Sequence, residues 1–350
     1  PTAADFEVQP GAYRYQDMGD FFVETEQGQY YLGWDQIIRF AEPGSRSFYP
    51  LCNKPNCGHG GEKCNAYTDY ALGYWNGHLY TTTYGDNGPV VQRMDMDGTN
   101  RREVGQLPVL TAVDGARHAS GELLFHNGSL FYMYDAIETD PEWSMSIYQF
   151  DLETGKGRWL FQEDIPLHTE WPSEDVSVSN GYLYFPLPQT SEGKRPYAEG
   201  NLETGRIERV FEDWKRENSF IVNFDNVLYY HRAGIGLCEY DKATGKETVK
   251  VPMDVYYADV SYTKDYIFLR TLDSADFNQC VLLAYDRDYN LLGKLELEKI
   301  GLRFPFLEYT TANAIYFSAD GGTITHYIDP HHLDRLELIQ LVDPTARSHG

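Results

Sequence analysis

Seven times along this chain of 350 residues a tight turn runs straight into an aromatic-rich strand, and a repeat of that kind limits the possible folds more than any single motif does. The four clear copies are Gly19-Asp20-Phe21-Phe22-Val23, Asn76-Gly77-His78-Leu79-Tyr80, Asn127-Gly128-Ser129-Leu130-Phe131-Tyr132 and Asn180-Gly181-Tyr182-Leu183-Tyr184. Three weaker ones are Asp225-Asn226-Val227-Leu228-Tyr229-Tyr230, Lys264-Asp265-Tyr266-Ile267-Phe268 and Ala312-Asn313-Ala314-Ile315-Tyr316-Phe317. The six steps from Asp20 to Asn313 average about 49 residues, enough for four strands and their loops.

Two kinds of turn alternate along the chain. Asn-Gly pairs suit two-residue type I′ hairpins, in which both central residues need positive φ. A second turn recurs as Asp95-Met96-Asp97-Gly98, Asp151-Leu152-Glu153-Thr154-Gly155, Asn201-Leu202-Glu203-Thr204-Gly205 and Asp241-Lys242-Ala243-Thr244-Gly245, with looser versions near Glu42-Pro43-Gly44, Asp286 and Asp329. Between them lie short runs of alternating polarity, as half-buried strands require. Each repeat therefore reads as strand a, Asn-Gly turn, strand b, variable loop, strand c, Asp-x-x-Thr-Gly turn, strand d. The expected fold is all-β: a single seven-bladed β-propeller of four-stranded antiparallel blades, spanning about 12–52, 70–108, 119–163, 174–213, 218–253, 257–299 and 303–343. Strands a are expected near 12–16, 71–75, 122–126, 175–179, 219–223, 258–262 and 304–309. Because every repeat holds its own strand d, little or no strand exchange between the termini is expected, with Asp5 to Gln9 the one segment able to contradict this.

The tyrosine-rich hairpins and Asp-x-x-Thr-Gly turns resemble those of TolB-like propellers, and more closely those of propeller-bearing surface lipoproteins of anaerobic Gram-positive bacteria. The likeness covers nearly the whole chain and includes Leu51-Cys52-Asn53-Lys54-Pro55-Asn56-Cys57-Gly58-His59 with Cys64-Asn65-Ala66. It implies export, a cell-surface location and a lipid anchor upstream of Pro1, but no catalytic residue.

Composition narrows the choice of partners. Lys and Arg number 29 against 53 Asp and Glu, a formal charge of −24, so nucleic acid and anionic membrane surfaces are disfavoured by repulsion. Membrane attachment is expected only through the lipid anchor, and a protein, peptide or glycan is the expected ligand. No apolar run reaches the roughly 18 residues of a membrane span.

Strands a–b and c–d are joined by short turns on one face, whereas the b–c loops and the links between blades are long and rich in Trp, His, Asp and Glu. Binding residues concentrate on such loops. The candidates for ligand contact are Trp34, Trp75, His118, Asp135, Trp143, His168, Trp171, Arg303 and Phe306. For each aromatic the alternative role is packing between neighbouring blades. Hydrolase elbows, zinc-protease helices, phosphate loops and dinucleotide fingerprints are all missing, as are the signature turns of sialidase, kelch and WD propellers. This favours an extracellular, non-catalytic binding or scaffold protein using the long-loop face. A carbohydrate-active enzyme with paired carboxylates at the central channel is the alternative.

Cys52, Cys57, His59 and Cys64 fall within thirteen residues on the connection from the first blade to the second. Three thiolates and an imidazole can close a tetrahedral zinc site, which with no position left for water would be structural. A disulfide between two of the three cysteines, or three unlinked thiols, are the other readings. Cys238 and Cys280 fall in expected c strands, where a cysteine acts as a small buried apolar residue.

Overall fold

In the computed structural model the described residues are 9–10, 22–85, 87–109, 119–137, 143–161, 177–187, 192, 196–211, 218–224, 226–255, 257–262, 265–272, 280–300, 302, 306–310, 314–318 and 324–341. They form a seven-bladed β-propeller of antiparallel sheets. Short 3-10 turns at Leu297–Ile300 and Leu333–Arg335 are the helical elements among them, and no helix is long and apolar enough to cross a membrane. The first described strand, β1 (Gln9–Pro10), belongs with the last sheet.

The chain divides into two compact units, one made mainly of 16–163 and the other of 1–15 with 164–340. The first unit holds three sheets. Blade one is β2 (Phe22–Thr25), β3 (Gly28–Leu32), β4 (Ile38–Ala41) and β5 (Tyr49–Pro50). Blade two is β6 (Tyr70–Trp75), β7 (His78–Gly85), β8 (Gly88–Asp95) and β9 (Arg102–Gln106). Blade three is β10 (Ala119–His126), β11 (Ser129–Ile137), β12 (Trp143–Asp151) and β13 (Gly157–Leu160).

The second unit holds the other four. Blade four is β14 (Ser177–Ser179), β15 (Tyr182–Pro186), β16 (Tyr197–Asn201) and β17 (Arg206–Phe211). Blade five is β18 (Asn218–Phe224), β19 (Val227–Arg232), β20 (Gly236–Asp241) and β21 (Lys246–Pro252). Blade six is β22 (Tyr257–Tyr262), β23 (Tyr266–Leu272), β24 (Cys280–Asp286) and β25 (Leu291–Glu296). Blade seven is β26 (Phe306–Thr310), β27 (Ile315–Ser318), β28 (Ile324–Ile328) and β29 (Ile339–Gln340).

The two turn chemistries behave as the sequence implies. In Asn76-Gly77, Asn127-Gly128 and Asn180-Gly181 both residues have positive φ, at 46° and 77°, 44° and 74°, and 51° and 77°, the pattern of type I′ hairpins. In the second turn a side-chain oxygen caps the backbone. Asp151 Oδ1 accepts the N–H groups of Glu153 and Thr154 at 3.0 and 2.7 Å, Asn201 Oδ1 those of Glu203 and Thr204 at 2.9 and 3.0 Å, and Asp241 Oδ1 those of Ala243 and Thr244 at 2.9 Å each. The glycine that closes each turn has φ of 67°, 68° and 69° in turn, a region where a side chain is strained.

Apolar clusters lie between consecutive sheets. Val23, Leu32 and Ile38 of blade one meet Leu72, Leu79 and Met94 of blade two, and Ala71, Tyr80 and Val91 meet Leu123, Leu130 and Phe150 of blade three. In the second unit Tyr184 and Phe211 meet Ile221 and Leu228, Val222 and Leu237 meet Val260 and Ile267, and Phe268 and Leu282 meet Ile315 and Phe317.

Two expectations need correction. Strand a of blade one is β2, and the hairpin turn is Glu26-Gln27 rather than Gly19-Asp20; segment 12–16 lies outside the described residues, and the sheet has its four strands without it. Gly19-Asp20 imitates the recurrent turn, but Gly28, with φ of 143° and the Ala41 carbonyl 2.3 Å from where a Cβ would stand, marks the real one. Strand exchange between the termini also occurs: β1 pairs antiparallel with β26, setting Gln9 opposite Thr310 and Pro10 opposite Tyr309, so the last sheet has five strands. An edge strand offers unpaired backbone groups, and two residues can meet them without any side-chain pattern in the sequence.

Candidate metal centre

The connection from β5 to β6 has few apolar anchors. Leu51, Cys64 and Ala66 are buried, whereas Asn53, Lys54, Pro55 and Asn56 are exposed. It is folded by local turns: Cys57 N–H donates to the Lys54 carbonyl at 3.3 Å, Cys64 N–H to Gly61 at 3.0 Å and Tyr67 N–H to Cys64 at 3.2 Å. Asn56 and His59 adopt positive φ, 59° and 52°, which turns the chain back on itself twice between Cys52 and Cys64. Such backbone conformations cost energy unless something outside the loop holds them.

These turns bring the four sequence candidates together. The sulfurs of Cys52, Cys57 and Cys64 and a ring nitrogen of His59 all lie within 4.8 Å of one another, with His59 Nδ1 3.8 Å from Cys64 Sγ. Tetrahedral zinc with Zn–S of about 2.3 Å needs donor atoms about 3.7 Å apart, so the cluster is near coordination size. None of the five cysteines is in a disulfide. A disulfide would engage two sulfurs and leave no reason for a third thiol and an imidazole to converge on them, whereas a metal ion uses all four.

The thiols differ electrostatically. Burial raises the Cys52 pKa, but this is outweighed by the backbone N–H groups of Lys54 and Asn65 and by the thiols of Cys64 and Cys57, which bring it down to about 6. Burial, hydrogen bonds that the Cys64 thiol donates to the sulfurs of Cys52 and Cys57, and the charge on Cys52 push Cys64 up to about 11 despite the Ala66 N–H on its sulfur at 3.4 Å. Close thiols cannot all ionise without a cation to share the charge.

Arg101, absent from the sequence candidates, fastens the far side of this connection. From the residue just before β9 its Nη1 donates to the Tyr67 carbonyl at 2.5 Å and its Nη2 to the Asn65 carbonyl at 2.8 Å. Burial lowers its pKa, an effect opposed by Cys64 and Asp69. Ile38 N–H donating to the Ala66 carbonyl at 2.8 Å and Thr68 N–H to the Gln36 carbonyl at 3.0 Å tie the same stretch to blade one. The cluster thus sits on a segment gripped by both blades.

The other candidates are dispersed. Trp34, in the link from β3 to β4, is 51% exposed. Trp75 ends β6, and a Cβ on Gly128 of the next blade would stand 2.6 Å from its ring, so the ring packs across the hairpin of blade three. Asp135 lies in β11 opposite Met145, Trp143 in β12 opposite Ile137 and Phe306 in β26 opposite Ser318, with only their backbone described. His118, His168, Trp171 and Arg303 lie outside the described residues.

No protein-family model matches the chain, and no curated protein does. Among solved structures it is similar to the computationally designed Ika8 protein, at 11% identity over 91% of this chain and 97% of that one with a TM-score of 0.44. It is also similar to BamB from Moraxella catarrhalis, at 10% identity over 92% and 89% with a TM-score of 0.43.

Proposed function

We propose that the chain is a non-catalytic binding or scaffold protein in which one zinc ion fastens the connection between blades one and two. The observation that carries this reading is the convergence of Cys52, Cys57, His59 and Cys64 within 4.8 Å. Thiolate and imidazole donors suit zinc better than a hard cation, and four protein donors leave no position for the water that a catalytic zinc requires. The ion would replace the apolar contacts this loop lacks and would neutralise crowded thiolates. The resemblance to surface lipoproteins supports an exported, lipid-anchored protein that meets a protein, peptide or glycan through its longer loops.

The test is metal analysis of the intact protein beside Cys57→Ser. About one equivalent of zinc in the parent, lost in the variant, is the expected result. Chelation should then raise hydrogen exchange in 52–67 and leave the other blades protected. Loosening of that segment by reductant, with no response to chelator, would overturn the zinc reading.

A further inference from the structure

The hydrogen bonds around Cys64 form a relay that reaches blade two. The peptide unit joining Asn65 to Ala66 turns its N–H to the cluster and its carbonyl to Arg101. Ala66 N–H donates to Cys64 Sγ at 3.4 Å, and the Asn65 carbonyl accepts Arg101 Nη2 at 2.8 Å. The Asn65 N–H, at the other end of that residue, is one of the donors on Cys52. The guanidinium therefore stands one peptide unit from the Cys64 sulfur and grips the residue that bonds a second sulfur.

Its other nitrogen stiffens the arrangement. Arg101 Nη1 donates to the Tyr67 carbonyl at 2.5 Å, and Tyr67 N–H donates back to the Cys64 carbonyl at 3.2 Å. Met94 Sδ lies 3.9 Å from Nη2, and Met94 packs in the same apolar cluster as Cys64 and Ala66. A planar guanidinium holds two carbonyls in one fixed fork, whereas a lysine ammonium is a single point charge. A carbonyl bonded to a cation also polarises its own peptide, so the N–H at the far end becomes a better donor. Three thiolates and a neutral imidazole around a zinc ion carry one net negative charge, and an N–H aimed at sulfur helps to spread it. Cys64 and Arg101 attract each other directly as well, since Cys64 opposes the lowering of the Arg101 pKa by burial.

We propose that Arg101 is a positioning residue of the metal centre, acting on Cys64 through the Asn65–Ala66 peptide rather than by contact with the ion. The inference rests on the zinc reading above and adds to it a residue of blade two that sets the affinity of the site.

Competition for zinc with a chromophoric chelator, on the intact metal-loaded protein, tests it in the parent, Arg101→Met, Arg101→Lys and Thr68→Val. Loss of a partner that orients a metal ligand costs about 10–100-fold in affinity; Arg101→Met is expected in that range and Arg101→Lys between it and the parent. Thr68→Val is the control. It removes the bond from Thr68 Oγ1 to the Thr82 carbonyl at 3.1 Å, a tie of the same segment to blade two that lies outside the relay, and should keep the parent's affinity. With cobalt in place of zinc, Arg101→Met should move the sulfur-to-metal charge-transfer band to longer wavelength, because a thiolate with a weaker N–H bond gives up an electron more readily. Parental zinc affinity in Arg101→Met, an unmoved cobalt band, or Thr68→Val as weak as Arg101→Met would overturn the inference. Should Arg101→Met fail to fold, parental affinity in Arg101→Lys overturns it instead. Any of these results in a parent that holds zinc leaves the metal reading standing, whereas a parent that takes up no metal overturns both.

Discussion

His231 in β19 is 1% exposed, its Nε2 has no hydrogen-bond partner among the described residues, and burial brings its pKa down to about 4 despite a bond to the Val255 backbone. Because the folded pKa lies below the unfolded value of about 6.5, the neutral form is the one the fold accepts. Its contribution is complete above pH 6.5 and is lost as pH falls towards 4, an effect on the order of 3 kcal/mol. Urea midpoints of the parent should therefore drop through that window, and those of His231→Gln should drop less; parallel profiles would contradict the assignment. At this scale the sequence is legible where a residue acts on its neighbours. The Asn-Gly pairs and the Asp or Asn caps work within five residues, and the structure shows their dihedrals and hydrogen bonds as expected. Arg101 was not legible, because its carbonyl partners lie 34 and 36 residues away and nothing in local spacing marks an arginine as a clamp.

Neighbouring elements of the second unit are joined by buried charge as well as by apolar clusters. Glu199 on β16 accepts the Tyr184 hydroxyl at 2.7 Å and Lys242 Nζ at 3.0 Å, with Arg209 Nε at 4.0 Å; the Glu199 and Lys242 side chains are 4% and 8% exposed. Lys242 comes from the turn after β20, so the pair bridges blades four and five, and Glu239 repeats the device by accepting the Tyr289 hydroxyl of blade six at 2.8 Å. Removing one member of a buried pair leaves the other charge uncompensated, at a cost of about 3–5 kcal/mol. Lys242→Met is expected to lose that much in chemical denaturation, and the double variant with Glu199→Gln should lose clearly less than the two single losses added together. Additive losses would mean that the two side chains are not coupled. The grip was hidden in the sequence because Glu199 and Lys242 lie 43 residues apart, and the turn motifs beside them mark hairpins rather than a pairing between blades. The register of blade one was hidden for a different reason, since Gly19-Asp20 carries the turn chemistry without being the turn. The Cys-His cluster was legible because its four donors fall within thirteen residues, and what sequence could not settle between metal and disulfide depends on how Asn56 and His59 fold that loop.

For the molecule as a whole, the seven-fold repetition of one hairpin chemistry made the propeller readable. A charge of −24 repels itself in the compact state, so the melting temperature should rise as sodium chloride increases from about 10 to about 300 mM, where screening shortens to several ångströms. A falling melting temperature would show that attractive surface pairs outweigh the repulsion. The central claim is the zinc-fastened connection, and X-ray absorption at the zinc edge on the intact protein measures it most directly. The expected spectrum is three sulfurs at about 2.3 Å and one nitrogen at about 2.0–2.1 Å around about one zinc per chain, reduced to two sulfurs or lost altogether in Cys57→Ser. A metal shell of oxygen donors, or a fully folded protein that purifies without zinc and takes up none, would contradict it.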